Sequence, residues 1–261
     1  MMRELAHTLE RTITIRAHRE TVFRFFTDSA RWAAWWGEGS SIDPRVGGRV
    51  VIRYPGGTEA VGEVVEFRSP ERIRFTYGYS SGTPVAPGES HVTIWLEAIP
   101  DGTRLHLSHA FADESVMQQH TQGWRYQLSL FGNAVANEIH AGATATVDRW
   151  FAMWSNPDAA SRLLELDQLV APNVSMQDRY SATQGVADVR AHLDGVHRFM
   201  PGFELRRDGE ARHCQGQVLV NWTSHGPDGQ RRGTGSNVFT LDADGRIEAV
   251  MGFWTTPHLK V

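Results

Sequence analysis

The chain has a single cysteine, Cys214, in 261 residues. One thiol excludes an internal disulfide and any zinc site built on several cysteines. Long apolar runs are missing as well, since no stretch reaches the roughly 20 residues that a membrane-spanning helix needs. Met1 to Arg11 carries charges and lacks an apolar segment, which is not the pattern of a secretory leader. No basic block is present to neutralise a phosphate backbone, and the net charge is -4, so no nucleic-acid partner is expected. No glycine-rich phosphate loop follows a strand, which leaves nucleotide binding without support. The expectation is a soluble, cytoplasmic protein without membrane association, long enough for two domains.

Aromatic residues are plentiful: nine Trp, twelve Phe and five Tyr. Packing in a core is the ordinary use of such rings, and it is the default for most of them. The most regular stretch runs from Thr121 to His140. There Trp124, Leu128, Phe131, Val135 and Ile139 recur at steps of four and three, on one face of a helix. Gly123 precedes that run, and Gly142 stands just past it, where a left-handed cap residue is expected. Gln127 lies beside the apolar stripe and needs a hydrogen-bonding partner or a wet cavity.

Before this helix the pattern is one of strands. His7 to Ala17 alternates, Thr21 to Phe26 reads as a short helix, and Trp32, Trp35 and Trp36 cluster before Gly37. Strands are expected at 48–54, 59–67, 73–79, 91–98 and 103–110, separated by turn chemistry such as Pro55-Gly56-Gly57 and Pro100-Asp101-Gly102. The result is an antiparallel sheet closing on the long helix, with either a packed core or a cavity between them. Phe23-Arg24-Phe25-Phe26-Thr27-Asp28, Trp35-Trp36-Gly37, Pro87 to Thr93 and Gly123-Trp124 resemble the chaperone-ATPase-activator-like branch of the START-type helix-grip (SRPBCC) superfamily. The resemblance covers nearly all of residues 1–141 and implies a hydrophobic cavity under the C-terminal helix. It implies no particular reaction. Candidates to line that cavity are Trp36, Tyr54, Tyr77, Tyr79, Trp95, His109, Trp124 and Gln127.

Residues 142–261 start afresh. Thr144 is placed to cap a helix whose apolar face is Val147, Trp150, Phe151 and Trp154. A second helix is expected over 161–169, a short strand over 174–178, and a turn at Thr183-Gln184-Gly185. A third helix then carries Val186, Val189, Leu193, Val196 and Met200. Strands follow at 203–208, 217–224, 235–241 and 247–254, the last two joined by Asp242-Ala243-Asp244-Gly245 as a hairpin turn. The fold class is α+β throughout, the second domain being three helices and then a curved antiparallel sheet.

The Trp150 helix, the Val174–Asp178 strand, and Asn237 to Ile247 running on to Phe253-Trp254 resemble the SnoaL-like, ketosteroid-isomerase-like family of the nuclear-transport-factor fold. That resemblance implies a carboxylate base at Asp178, a donor at Asn237 and an aromatic wall residue at Trp254. It also implies that the open sheet is an association face, hence a homodimer. Such chemistry abstracts a proton next to a carbonyl and stabilises the oxyanion, and an apolar cone strengthens both groups. The chain departs from an isomerase in having Trp150 where a tyrosine donor stands, and a neutral amide at Asn237. A turn role for Asp178 is the competing reading. His192 and His197 are five apart, His213 and Cys214 adjacent, and His225 sits beside Gly226-Pro227. All read as surface groups, and no metal is expected. Arg231-Arg232 reads as a solvated turn.

Two cavity-forming folds without a cofactor motif favour a hydrophobic small molecule. One reading is a cyclase- or isomerase-type enzyme acting on a polyketide-like or polycyclic substrate. Asp178 and Asn237 would be its catalytic residues, with Trp150, Trp154, Trp222, Phe253 and Trp254 around the substrate. The other reading is a non-catalytic carrier or stress- and chaperone-associated protein, and a third is an interaction module.

Overall fold

The computed structural model of the chain describes residues 4–255. It divides into two compact units, Met1–Glu138 and Ile139–Val261. The first begins with β1 (His7–Ile15), α1 (Arg19–Arg24) and α2 (Ser29–Trp36). Next come β2 (Ser41–Ile42), β3 (Arg49–Arg53), β4 (Glu59–Arg68), β5 (Arg72–Tyr79), β6 (Ser90–Ile99) and β7 (Gly102–Phe111), and it closes with α3 (Glu114–Ile139). The sheet is seven-stranded and antiparallel in the order β1-β7-β6-β5-β4-β3-β2. Strand β7 shows why: Leu105, Leu107 and His109 are buried while Arg104, His106 and Ser108 between them are less so, the period-two burial of a sheet with one covered face.

Asp28 starts α2 by accepting the Arg31 amide at 2.9 Å, which satisfies one of the donors a helix leaves free at its start. The helix then delivers Trp32, Trp35 and Trp36 into the core, where Trp32 Nε1 donates to the Val51 carbonyl at 3.1 Å. Phe131 of α3 stacks on Phe26 at 5.1 Å and meets Trp35 edge-on at 4.9 Å. The long helix starts at Glu114, not Thr121, so Gly123 lies inside it. Asp113 explains the earlier start, because its Oδ1 accepts the Ser115 and Val116 amides.

The second unit has α4 (Ala143–Ser155), α5 (Ala159–Leu169), β8 (Val170–Gln177), β9 (Ala182–Gln184) and α6 (Gly185–Phe199). The strands β10 (Glu204–Cys214), β11 (Gln217–His225), β12 (Arg231–Leu241) and β13 (Ile247–Thr255) complete it. Gly142 does not take the expected left-handed conformation. Its φ is -86° and it is the N-cap of α4, so Thr144 sits inside the helix. Thr183-Gln184 forms β9 instead of a turn, and Arg231-Arg232 opens β12. The six-stranded sheet runs β10-β11-β12-β13-β8-β9 and is antiparallel except where β8 joins β13 in parallel. That parallel joint is made possible by α6 and the four-strand excursion between β8 and β13. Its consequence is that the end of β8, with Asp178 just beyond, lies beside the end of β13.

Candidate functional site

The second unit contains a cavity of about 680 Å³ whose walls are mostly apolar. Trp150 and Trp154 of α4 and His192 and Val196 of α6 come from the helices. Met176, Trp222, Asn237, Val250, Gly252 and Trp254 come from the sheet, with Asp178 at its edge. Strand register explains the sheet wall. Trp222 on β11, Gly235 on β12 and Trp254 on β13 form one cross-strand row, and Val220, Asn237 and Gly252 form the next. Two large indoles fit in one row because the residue between them has no side chain. A Cβ on Gly235 would lie 2.4 Å from Trp222 Cζ2, and one on Gly233 would lie 3.1 Å from Trp254 Cζ3. The two indoles meet edge-on at 4.7 Å.

Each of these indoles spends its N–H on one of the two polar residues. Trp222 Nε1 donates to Asn237 Oδ1 at 2.8 Å, and Trp254 Nε1 donates to Asp178 Oδ2 at 3.1 Å. An indole nitrogen only donates, so the Asn237 amide is oriented with its oxygen toward Trp222 and its NH2 left over. Asp178 Oδ1 accepts from Tyr180 N at 2.7 Å, Ser181 N at 2.7 Å and Ser181 Oγ at 2.9 Å. Oδ1 is thus taken up by the turn that follows β8. Oδ2 is shared with Trp254 alone among the described residues and keeps a lone pair. Gly252 brings Asn237 and Asp178 to one place: a Cβ there would lie 2.9 Å from Asp178 Cβ and 3.2 Å from Asn237 Oδ1.

Not every residue expected on this wall is there. Phe253 points the other way on β13, between Gly252 and Trp254, and is 57% exposed. The alternation of a strand puts neighbouring side chains on opposite faces. Two histidines read as surface groups belong to the cavity instead, His192 on α6 and His225 at the end of β11. The sequence signal for His192 was available: it is next to Leu193 and four before Val196, on the edge of the apolar stripe. Burial lowers the His192 imidazole below its ordinary value, with the charge of Asp178 acting the other way. The indole Nε1 of Trp154 is buried without a hydrogen-bond partner among the described residues.

The first unit has its own cavity, about 800 Å³, lined among others by Trp35, Trp36, Tyr54, Tyr77, Tyr79, His120, Trp124 and Gln127. Among the described residues that line it, none is Asp, Glu, Lys or Arg. The Tyr54 and Tyr77 hydroxyls are 2.8 Å apart, and burial pushes both phenols above their ordinary range. Gln127 finds its partner in the Trp35 carbonyl. His109 stands behind the wall, fully buried: Trp124 Nε1 donates to its Nδ1 at 2.9 Å, and its Nε2 pairs with Ser90 Oγ at 2.9 Å. Since indole only donates, the His109 proton is on Nε2, and Ser90 passes the chain on to the Tyr77 carbonyl. Trp95 is not a lining residue. It is 46% exposed on the outer face of the sheet and stacks on His106 at 4.6 Å.

Among the described residues no group of three or more His, Cys, Asp or Glu is arranged to hold a metal ion. No helix there is long and apolar enough to cross a membrane.

Residues 16–136 match the family model of Activator of Hsp90 ATPase homolog 1-like proteins, and residues 147–250 match that of the SnoaL-like domain. No curated protein matches the chain. Solved structures similar to it include a SnoaL-like family protein of Agrobacterium tumefaciens at 24% identity and TM-score 0.42, over 46% of this chain and 99% of that one. The Aha1 protein of Colwellia psychrerythraea, solved as a dimer, is 18% identical at TM-score 0.44, over 49% of this chain and 96% of that one. CalU16 of Micromonospora echinospora is 26% identical at TM-score 0.40, over 51% of this chain and 76% of that one. The first half of the chain thus resembles the Hsp90-ATPase-activator-like branch of the helix-grip superfamily, and the second half resembles the SnoaL-like family.

Proposed function

We propose that the second unit is an isomerase- or cyclase-type enzyme working by side-chain acid–base chemistry on a hydrophobic, polycyclic or polyketide-like carbonyl compound. The observation that carries this reading is the meeting of Asp178 and Asn237 at the gap left by Gly252, on the wall of an apolar cavity. Asp178 Oδ2 takes the proton from the carbon next to the carbonyl. The C–H electron pair moves into a new C=C bond and the carbonyl oxygen becomes an enolate. The free NH2 of Asn237 donates to that oxygen, which an apolar wall makes more effective. The proton then returns from Asp178 to another carbon of the enolate in an isomerisation. In a cyclisation it goes to the alkoxide formed when the enolate carbon attacks a second carbonyl.

The first unit supports a second reading, in which a hydrophobic molecule is held without chemistry in a carrier or a stress- or chaperone-associated role. Its cavity walls carry aromatic rings, neutral histidine and phenols but no carboxylate or cation, which suits an uncharged ligand. A homodimer through the outer face of the second sheet also belongs to this proposal. Met251 and Phe253 are exposed there on β13, and Val238 is paired with Met251 on β12.

Native mass spectrometry of protein isolated from its own host tests the enzyme reading. A bound polycyclic molecule that wild type converts and Asp178→Asn returns unchanged is the expected result. A molecule that both proteins release unaltered would make the chain a carrier.

A further inference from the structure

The Asp178–Asn237 pair handles one end of a ligand. The opposite, helical wall of the same cavity is apolar apart from His192 and the indoles. His192 is half-buried on α6, its ring 5.7 Å from that of Trp154, with Val196 and Met200 continuing the wall along the helix. Neither ring nitrogen has a hydrogen-bond partner among the described residues. Two other polar side chains near this wall are engaged within the protein. Arg232 is tied to Asp228 at 2.7 Å, and His197 on the same helix bonds the Trp154 carbonyl at 3.1 Å, whereas the Trp154 indole N–H and the Nδ1 of His225 are buried without a partner among the described residues. A ligand that fills the cavity takes water away from the His192 ring, so it must either supply a partner or leave the ring unpaired.

We propose that His192 is a specificity-determining residue which pairs with a hydroxyl group of the ligand. The ligands of this cavity are then hydroxylated, phenol-like carbonyl compounds, with the carbonyl at the sheet wall and the hydroxyl at the helical wall. This rests on the reading of the second-unit cavity as the site of carbonyl chemistry. Burial keeps the imidazole neutral, so it offers one donor and one acceptor and can serve a hydroxyl in either sense. A site built to bond a hydroxyl discriminates against the analogue without it, because the protein group is then buried unpaired. The indoles of Trp150, Trp154, Trp222 and Trp254 supply flat surfaces for the aromatic body between the two polar ends.

The probes are 1-tetralone and 6-hydroxy-1-tetralone, which differ by one hydroxyl at the end remote from the carbonyl. Each is titrated into the 15N-labelled full chain while the indole N–H signal of Trp254 is followed, since that group lies on Asp178 inside this cavity. Wild type is expected to bind the hydroxylated ketone about tenfold more tightly, the worth of one net hydrogen bond. His192→Phe should bring the ratio of the two affinities close to one, and His192→Gln, which keeps a donor and an acceptor, should restore part of the preference. Equal affinities in wild type, or a preference that survives His192→Phe, would overturn the assignment of His192 alone. If neither ketone moves the Trp254 signal, the carbonyl-site reading falls and this proposal with it.

Discussion

At the scale of single residues, the second unit depends on where side chains are missing. Gly235 and Gly252 are inconspicuous in the sequence, yet one seats Trp222 and Trp254 and the other leaves the space beside Asp178 and Asn237. Gly235→Ala would set a methyl carbon 2.3 Å from the Phe253 carbonyl oxygen as well as against Trp222. Backbone cannot retreat as a flexible side chain can, so the variant should lose about 1–3 kcal/mol. Urea unfolding followed by tryptophan fluorescence measures that loss, and an unchanged midpoint would contradict the packing described. The polar residues were more legible than the glycines. Asp178 and Asn237 were placed by resemblance and do share a wall. Phe253 and Trp95 were misplaced because composition marks a ring as apolar without giving the face it occupies. Strand parity decides that, and an error of one position in register reverses it.

Among the elements, the helices and strands were largely readable because their periods are strong, and the boundaries failed where capping by a side chain decides them. Asp113 extends α3 toward its start, and Asp158 begins α5 by accepting the Ala160 and Ser161 amides, both through oxygens that a hydrophobic pattern ignores. The parallel joint of β8 with β13 was also beyond periodicity, which reports the burial of a strand but not its neighbour. One network between elements has a measurable consequence. Trp124 of α3, His109 of β7 and Ser90 of β6 form a chain that requires a neutral imidazole. Burial, aided by the His120 and His91 charges, holds His109 well below its ordinary value of 6.5, and burial lowers His120 as well. Above that ordinary value the folded and unfolded chains are both neutral at these sites, and nothing changes with pH. Below it the unfolded chain takes up protons that the native chain refuses, so stability falls as pH falls, by at most roughly 1.4 kcal/mol per pH unit for each such group. Denaturant midpoints of the full chain should therefore decline between about pH 6.5 and pH 5. His109→Gln should lessen the slope; a slope equal to wild type would place the titration elsewhere.

For the whole molecule, the chain joins two folds that each enclose a cavity, and the two differ in chemistry. One is lined without carboxylates or cations, whereas the other holds a carboxylate and an amide on its sheet wall. The proposed homodimer uses the outer face of the second sheet, where Leu219, Val238 and Met251 form one cross-strand row beside Phe253. Burying a glutamate there without a partner opposes association, so Phe253→Glu should shift sedimentation of the full chain from dimer to monomer. A wild type that sediments as a monomer would remove that interface.

Proton removal next to a carbonyl is the central claim, and it is measured most directly by deuterium uptake. The full chain is incubated with 1-tetralone in heavy water, and the signal of the hydrogens next to the carbonyl is followed by proton NMR. Wild type should accelerate their exchange, and Asp178→Asn, which keeps the hydrogen-bonding shape but loses the base, should reduce the acceleration at least about 100-fold. Asn237→Leu should slow it by a smaller factor. Exchange at the uncatalysed rate with wild type, or undiminished exchange with Asp178→Asn, would contradict the account.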